Sequence, residues 1–272
     1  MKLGVNFTPR HSSPQEWAEE LLKMGVQATC FPVDYKAPVS TIDAYVAAAR
    51  DYNIMIAEVG IWNSPLHPDK KLAQQALEVC EEQLRLAEYI KACCCVNVSG
   101  AAGPVWYGCY PENYSEAVYQ RNIELVQYLC DKVKPKNTYF TLEVMQWMVP
   151  DSPKQYLKLI EEVNRQEFAV HMDVVNFINN PYLYTHFREL VDEAFSLLGS
   201  QTKSCHLKDC LMEEGTTVSI KEVSCGQGKM DLLYYLNKID EVDPDMPVLL
   251  EHLNSRQEYE DALKYINGIY HC

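Results

Sequence analysis

The stretch Phe168–Asp173 reads FAVHMD, a short and mostly apolar run that stops on a carboxylate. Thr138–Glu143 (TYFTLE), Lys203–His206 (KSCH) and Pro247–Glu251 (PVLLE) repeat the pattern, each ending in Glu or His. Short runs rich in Val, Leu, Phe and Tyr, each followed by a helical pattern, read as buried parallel strands. In a closed parallel barrel the carboxyl ends of all strands face one rim, where barrel active sites lie. Glu143, Asp173, His206 and Glu251 are therefore expected to converge there. Three carboxylates and one imidazole suit a hard or borderline divalent cation, such as manganese or magnesium, better than a thiolate-seeking one. A single strand-end carboxylate more often caps a helix or pairs with a lysine such as Lys208, and for Asp173 alone that reading wins. Four suitable ligands in register outweigh it.

Outward from these runs, strand, loop and helix alternate about eight times. Leu3–Phe7, Gln27–Phe31, Ile54–Val59 and Cys93–Ser99 read as the earlier strands. Pro14–Met24, Thr41–Tyr52, Asp69–Ile90 and Ser115–Val133 read as the helices between them. Ser13 caps the first helix, Pro14 opens it and Gly25 stops it. Ser152–Asn164 and Tyr182–Leu198 follow as helices. A longer connection, Lys208–Lys229, is extended over Val218–Val223 and leads to a short helix, Met230–Ile239; Gln257–Tyr270 closes the chain. This rhythm means an α/β protein with a parallel sheet, and eight units at this length predict a (β/α)8 TIM barrel. No Pro/Gly/Ser-rich linker divides residues 1–272, so one domain is expected. The alternative open doubly wound sheet lacks its G-x-G-x-x-G after the first strand.

Composition narrows the function classes. Of 272 residues, 47% are hydrophobic, enough for a large core, and the net charge is −14 without a dense Lys/Arg run. That argues against nucleic acid or an anionic membrane as the main partner. The 11 cysteines are odd in number and irregularly spaced, and MKLGVNF runs straight into a strand without an apolar signal segment. No stretch reaches membrane-span length. The expectation is a soluble, cytoplasmic protein with free thiols. Cys93, Cys94 and Cys95 would alternate across a strand and cannot form one metal site.

With these residues in view, the chain resembles the sugar phosphate isomerase/epimerase family of xylose-isomerase-like TIM barrels. The likeness rests on FTLEVMQW, VHMDVVN, SCHLKD, VSCGQGKMD and LLEHL, and covers essentially the whole chain. It implies a metal site of Glu143, Asp173, His206 and Glu251, matching the reading from strand ends, with Mn2+ (or Mg2+, Co2+) as cofactor. It also implies that Glu143 and Glu251 act as the acid/base pair of an isomerase or epimerase. Such an enzyme removes a proton next to a carbonyl and passes through a metal-stabilised enediolate. The alternative is a metal-dependent lyase or dehydratase acting on a keto-sugar or keto-glycoside, whose aglycone the aromatic loop Gly100–Tyr110 would admit. In ketohexose 3-epimerases a Glu, a His and an Arg hold the sugar at positions matching Val149, Asn176 and Met212, so that activity is not expected. A nuclease of the same barrel would need more ligands and a basic face. A non-catalytic sugar binder would not need two metal-binding glutamates.

The expected partner is a small-molecule sugar or sugar derivative, with self-association into a homo-oligomer left open. Candidate substrate contacts are His11, Glu58, His67, Trp106, Trp147, Asn176, Lys208 and Asp209. Each also has a plain reading: surface histidine for His11 and His67, structural pairing for Glu58, a surface salt bridge for Lys208 and Asp209, loop core for the tryptophans, turn residue for Asn176. The Gly226–Gly228 stretch GQG reads as a tight turn rather than a phosphate cradle.

Overall fold

Strand β1 (Lys2–Val5) pairs in parallel with both β2 (Ala28–Cys30) and β10 (Pro247–Leu250), and that double pairing closes a barrel. A computed structural model describes residues 1–270 of the chain. Around the barrel the order is β1, β10, β7 (Thr202–Leu207), β6 (Phe168–Met172), β5 (Phe140–Glu143), β4 (Cys94–Val98), β3 (Met55–Gly60), β2. All these pairings are parallel. The eight-stranded barrel expected from the sequence is therefore the observed fold. β4, β5, β6 and β10 are buried along their whole length, as strands inside a ring of helices must be.

The helices follow their local signals. In α1 (Pro14–Lys23), Ser13 accepts from the Glu16 backbone N–H, Pro14 takes the first turn, and Gly25 follows with φ +76°. Trp17, Ala18 and Leu21 form its buried stripe. α2 (Val39–Asp51), α3 (Lys70–Ile90), α4 (Glu116–Val133), α5 (Pro153–Val163) and α9 (Arg256–Ile269) complete the ring with three further helices. Asp69, Ser115, Ser152 and Ser255 cap α3, α4, α5 and α9 through their side-chain oxygens.

Three elements depart from expectation. The single helix expected over Tyr182–Leu198 is two, α6 (Pro181–Thr185) and α7 (Phe187–Leu198). The Thr185 hydroxyl donates back to the Pro181 and Tyr182 carbonyls, and His186 leaves the helical region, so the path breaks. Helix α8 (Leu232–Val242) starts later than Met230 because Asp231 is its cap, accepting from the Tyr234 N–H. The connection Lys208–Lys229 contains an antiparallel hairpin, β8 (Asp209–Met212) with β9 (Ile220–Val223), of which only the second strand was expected. This hairpin leaves the barrel at the end of β7 and carries Glu222 back to within 3.5 Å of Lys208.

Candidate metal centre

Side chains two apart on a strand share a face. Asp173, just past β6, and His206 on β7 thus point where His171 and Ser204 point, with the latter pair one layer deeper in the barrel. Glu143 ends β5, and Glu251 follows β10. One donor atom from each of Glu143, Asp173, His206 and Glu251 lies within 4.8 Å of every other, and all four residues are buried. The structure thus brings together the four residues expected to converge.

Within the quartet, His206 Nδ1 stands 3.2 Å from Glu143 Oε1 and 2.9 Å from Glu251 Oε2. The Lys208 ammonium stands 2.8 Å from Asp173 Oδ2, 2.5 Å from Glu251 Oε1 and 4.0 Å from Glu143 Oε1. Asp173 divides its oxygens between two tasks. Oδ1 accepts from the Asn176 N–H in the short turn Val175–Phe177, while Oδ2 faces the Lys208 ammonium without a hydrogen bond. Glu251 Oε2 is likewise buried without one. Buried acceptors are nearly always hydrogen-bonded, and these two have only ion-pair contacts, with Lys208 and His206 Nδ1, so the cluster is suited to further positive charge. With His206 neutral, three carboxylates (−3) and Lys208 (+1) leave −2, the complement of one divalent cation. The donor set fits manganese, magnesium or cobalt.

The carboxylates act strongly on their basic neighbours. Burial opposes charge on His206, but Glu251, Glu58 and Glu143 raise its pKa well above the ordinary imidazole value. Burial also opposes charge on Lys208, and Asp173, Glu251 and Glu143 outweigh it. The two glutamates diverge. Burial and the neighbouring Glu251 charge raise Glu143. Glu251, despite its burial, is held well below the usual carboxylate range by His206 and Lys208.

The other named residues take varied places. Asn176 donates through Nδ2 to Glu143 Oε1 at 3.0 Å, directly beside the quartet. Glu58 is 0% exposed and sits beneath it, 3.3 Å from His206 Nε2. Asp209 faces away. Its buried carboxylate accepts from the N–H groups of Cys210, Gly226, Gly228 and Met230, latching the turn after the hairpin. A side chain at position 228 would collide with that carboxylate, which explains the glycine. The Gly226 and Gly228 amides are therefore spent on Asp209 and the Gln227 amide on the Ser224 carbonyl, so they form no phosphate cradle. His11 is held between the Pro9 carbonyl and the Tyr45 hydroxyl, at 2.7 and 2.6 Å. His67 Nδ1 accepts from the Asp69 N–H at the start of α3. Trp106 and Trp147 pack on a small cluster of Val98, Ala101 and Met148, and Trp147 Nε1 donates to the Tyr107 carbonyl.

Sequence reasoning passed over three residues at this end. His171 binds Glu58 at 2.9 Å; its signal was the two-residue spacing before Asp173. Trp62 lies with its ring 6.5 Å from that of His206 and near-parallel to it, at φ +57°. Position 60 must be glycine for the indole to lie there. His252, also at φ +57°, reaches Glu222 at 3.0 Å and Glu251 Oε2 at 3.4 Å. Left-handed conformations in bulky residues cost energy and gather at functional sites, and nothing local in the sequence announces them. Cavities of about 250 Å³ and about 490 Å³ are lined by Trp62, with Asn6, Thr8 and Asp34, and by Glu222 and His252, but by none of the four quartet residues.

Residues 18–269 match the family described as xylose isomerase-like TIM barrel. The chain belongs to that family. Among curated proteins, none matches it. Solved structures share the fold at low identity. A xylose isomerase-like TIM barrel protein from Mycobacterium smegmatis in complex with magnesium is 15% identical, with TM-score 0.69 over 99% of this chain and 95% of that one. The 3-keto-D-glucoside 4-epimerase of E. coli is 13% identical, with TM-score 0.70 over 98% and 99%. A probable 3-DHS dehydratase from Bacillus anthracis is 15% identical, with TM-score 0.73 over 98% and 99%.

Proposed function

We propose that this protein is a divalent-metal-dependent isomerase or epimerase acting on a sugar or sugar derivative with a carbonyl group. The observation that carries this reading is the quartet: three carboxylates and an imidazole converging at a barrel mouth, with two buried oxygens that receive no hydrogen bond. Glu143, Asp173, His206 and Glu251 would hold the cation. When bound, it would supply Lewis-acid stabilisation of negative charge developing on substrate oxygen.

The chain's own residues supply the proton traffic. Glu251, kept ionised by His206 and Lys208, removes the proton from the carbon next to the carbonyl. Glu143, whose carboxyl is pushed up by burial and Glu251, returns a proton. Return to the opposite face of the same carbon gives an epimer; return to the neighbouring carbon gives an isomer. Asn176 fixes Glu143 Oε1 by its amide, and Lys208 offers an ammonium to substrate oxygen. By the resemblance, Val149, Asn176 and Met212 fall at the positions where ketohexose 3-epimerases carry a Glu, a His and an Arg, which favours a different carbonyl sugar.

A second reading, a lyase or dehydratase on a keto-sugar or keto-glycoside, shares the first step and differs in expelling a group from the next carbon. The likeness in fold to a probable 3-DHS dehydratase favours keeping it. Incubating the protein with manganese and a set of keto-sugars and 3-keto-glycosides in deuterated water separates the two. Deuterium uptake with a stereoisomer or positional isomer as product supports the isomerase. Release of water or an aglycone supports the lyase, and no exchange with any carbonyl sugar contradicts both.

A further inference from the structure

Beneath the quartet lies a second buried cluster, Glu58, His171 and His206, whose donor atoms also lie within 4.8 Å of one another. We propose that Glu58 is a positioning residue: it holds His206 with Nε2–H turned inward, so that Nδ1 presents its lone pair to the cation. This inference rests on the metal reading of the quartet.

Glu58 comes from β3, across the barrel from β6 and β7. Its Oε1 meets His171 Nε2 at 2.9 Å and the Ser204 hydroxyl; its Oε2 meets His206 Nε2 at 3.3 Å and Cys30 Sγ at 3.2 Å. A carboxylate offers about four acceptor sites, and here four donors fill them. That saturation leaves nothing for an ion, so this lower cluster is not a second metal site. An ionised carboxylate only accepts, so the nitrogen facing Glu58 must carry hydrogen. A neutral imidazole then keeps its lone pair on Nδ1, the atom that faces Glu143 and Glu251.

The layer spacing makes this arrangement more than a single bond. Ser204 lies two residues before His206 on β7, and His171 two before Asp173 on β6. Both lower residues grip Glu58. One carboxylate therefore ties together the two strands that supply Asp173 and His206. Apolar side chains fill this layer equally well in a barrel, and burying a charge costs stability, so packing does not account for the residue. Partners of metal-binding histidines set tautomer and ring orientation, and their loss typically weakens metal binding about 10–100-fold.

The test reads tautomer and affinity separately. In magnesium-loaded protein with ¹⁵N-labelled histidine, His206 should show a protonated Nε2 and an unprotonated Nδ1; the reverse tautomer overturns the proposal. In Mn2+ calorimetry, Glu58→Gln should bind about 10–100-fold more weakly than wild type. Cys30→Ala, which removes a partner of the same carboxylate but leaves the His206 contact, should bind near wild type. Equal Mn2+ affinity in Glu58→Gln and wild type overturns the proposal while sparing the metal reading. Absent binding in wild type overturns both. Should Glu58→Gln fail to fold, the tautomer in wild type decides.

Discussion

Two buried polar layers share His206, and they are built in opposite ways. In the lower layer, the Glu58 carboxylate meets four donors and is fully paired. His171 and His206 outweigh its burial and hold it well below the usual carboxylate range. In the upper layer, three carboxylates share one lysine and one imidazole, and Asp173 Oδ2 and Glu251 Oε2 have ion-pair contacts but no hydrogen bond. A balanced layer is structure that supports a site; a layer short of positive charge is the site. Both clusters contain metal-type residues at ligating distances, so proximity alone does not tell them apart. The count of donors against acceptors does.

The largest effect expected from this contrast is on turnover. Glu143→Gln and Glu251→Gln keep shape and one oxygen but cannot shuttle a proton at neutral pH. At saturating metal each should lose about 10²–10⁴-fold in kcat on the substrate identified by exchange. Near-wild-type turnover in both variants would move proton transfer to another rim group, with Lys208, His11 and His67 the next to test. Next in size is the cost of deepening the charge deficit. Lys208→Met leaves three buried carboxylates with no ammonium, and urea unfolding of metal-free protein should show a loss of about 3–5 kcal/mol. Manganese should narrow that gap, because the emptier site gains more from the cation. A metal-free Lys208→Met protein as stable as wild type would mean the upper layer is not short of positive charge.

How much of this was written in the sequence follows from where each signal is stored. FAVHMD and PVLLE each keep an apolar run and its terminal acid within a few residues, so the strand, its end and its ligand are readable together. Eight such units imply closure, and closure brings the four ends together. Glu58 shows the limit. Its role depends on His171 and His206, 113 and 148 residues away, and no local pattern on β3 announces them. Asp209 looked like a site residue because it adjoins Lys208, but strand alternation sends it to the other side, onto the amides of the following turn. The left-handed Trp62 and His252 are set by packing rather than by residue type.

The smallest effect sets the scale for charge pairs outside the barrel. Arg256 on α9 and Lys23 on α1 lower the pKa of the half-buried Glu20 to about 2. A carboxylate with a depressed folded pKa contributes stability above its unfolded value of 4.5 and loses it as pH falls through the folded one. Comparing wild type with Glu20→Gln, a small stability difference should be present at pH 6, shrink below pH about 4.5 and vanish near pH about 2. It should also fall with added salt, whereas the Lys208→Met effect should persist. Equal salt sensitivity in the two would erase the distinction between the buried layer and the surface.

The central claim is that the cation belongs to the upper layer alone. Crystals grown with manganese, measured at its absorption edge, test this directly by anomalous scattering. One peak should lie within about 2.0–2.3 Å of donor atoms from Glu143, Asp173, His206 and Glu251, and be absent in Asp173→Ala crystals. A peak held by Glu58, His171 and His206, or no peak at either layer, would contradict the account.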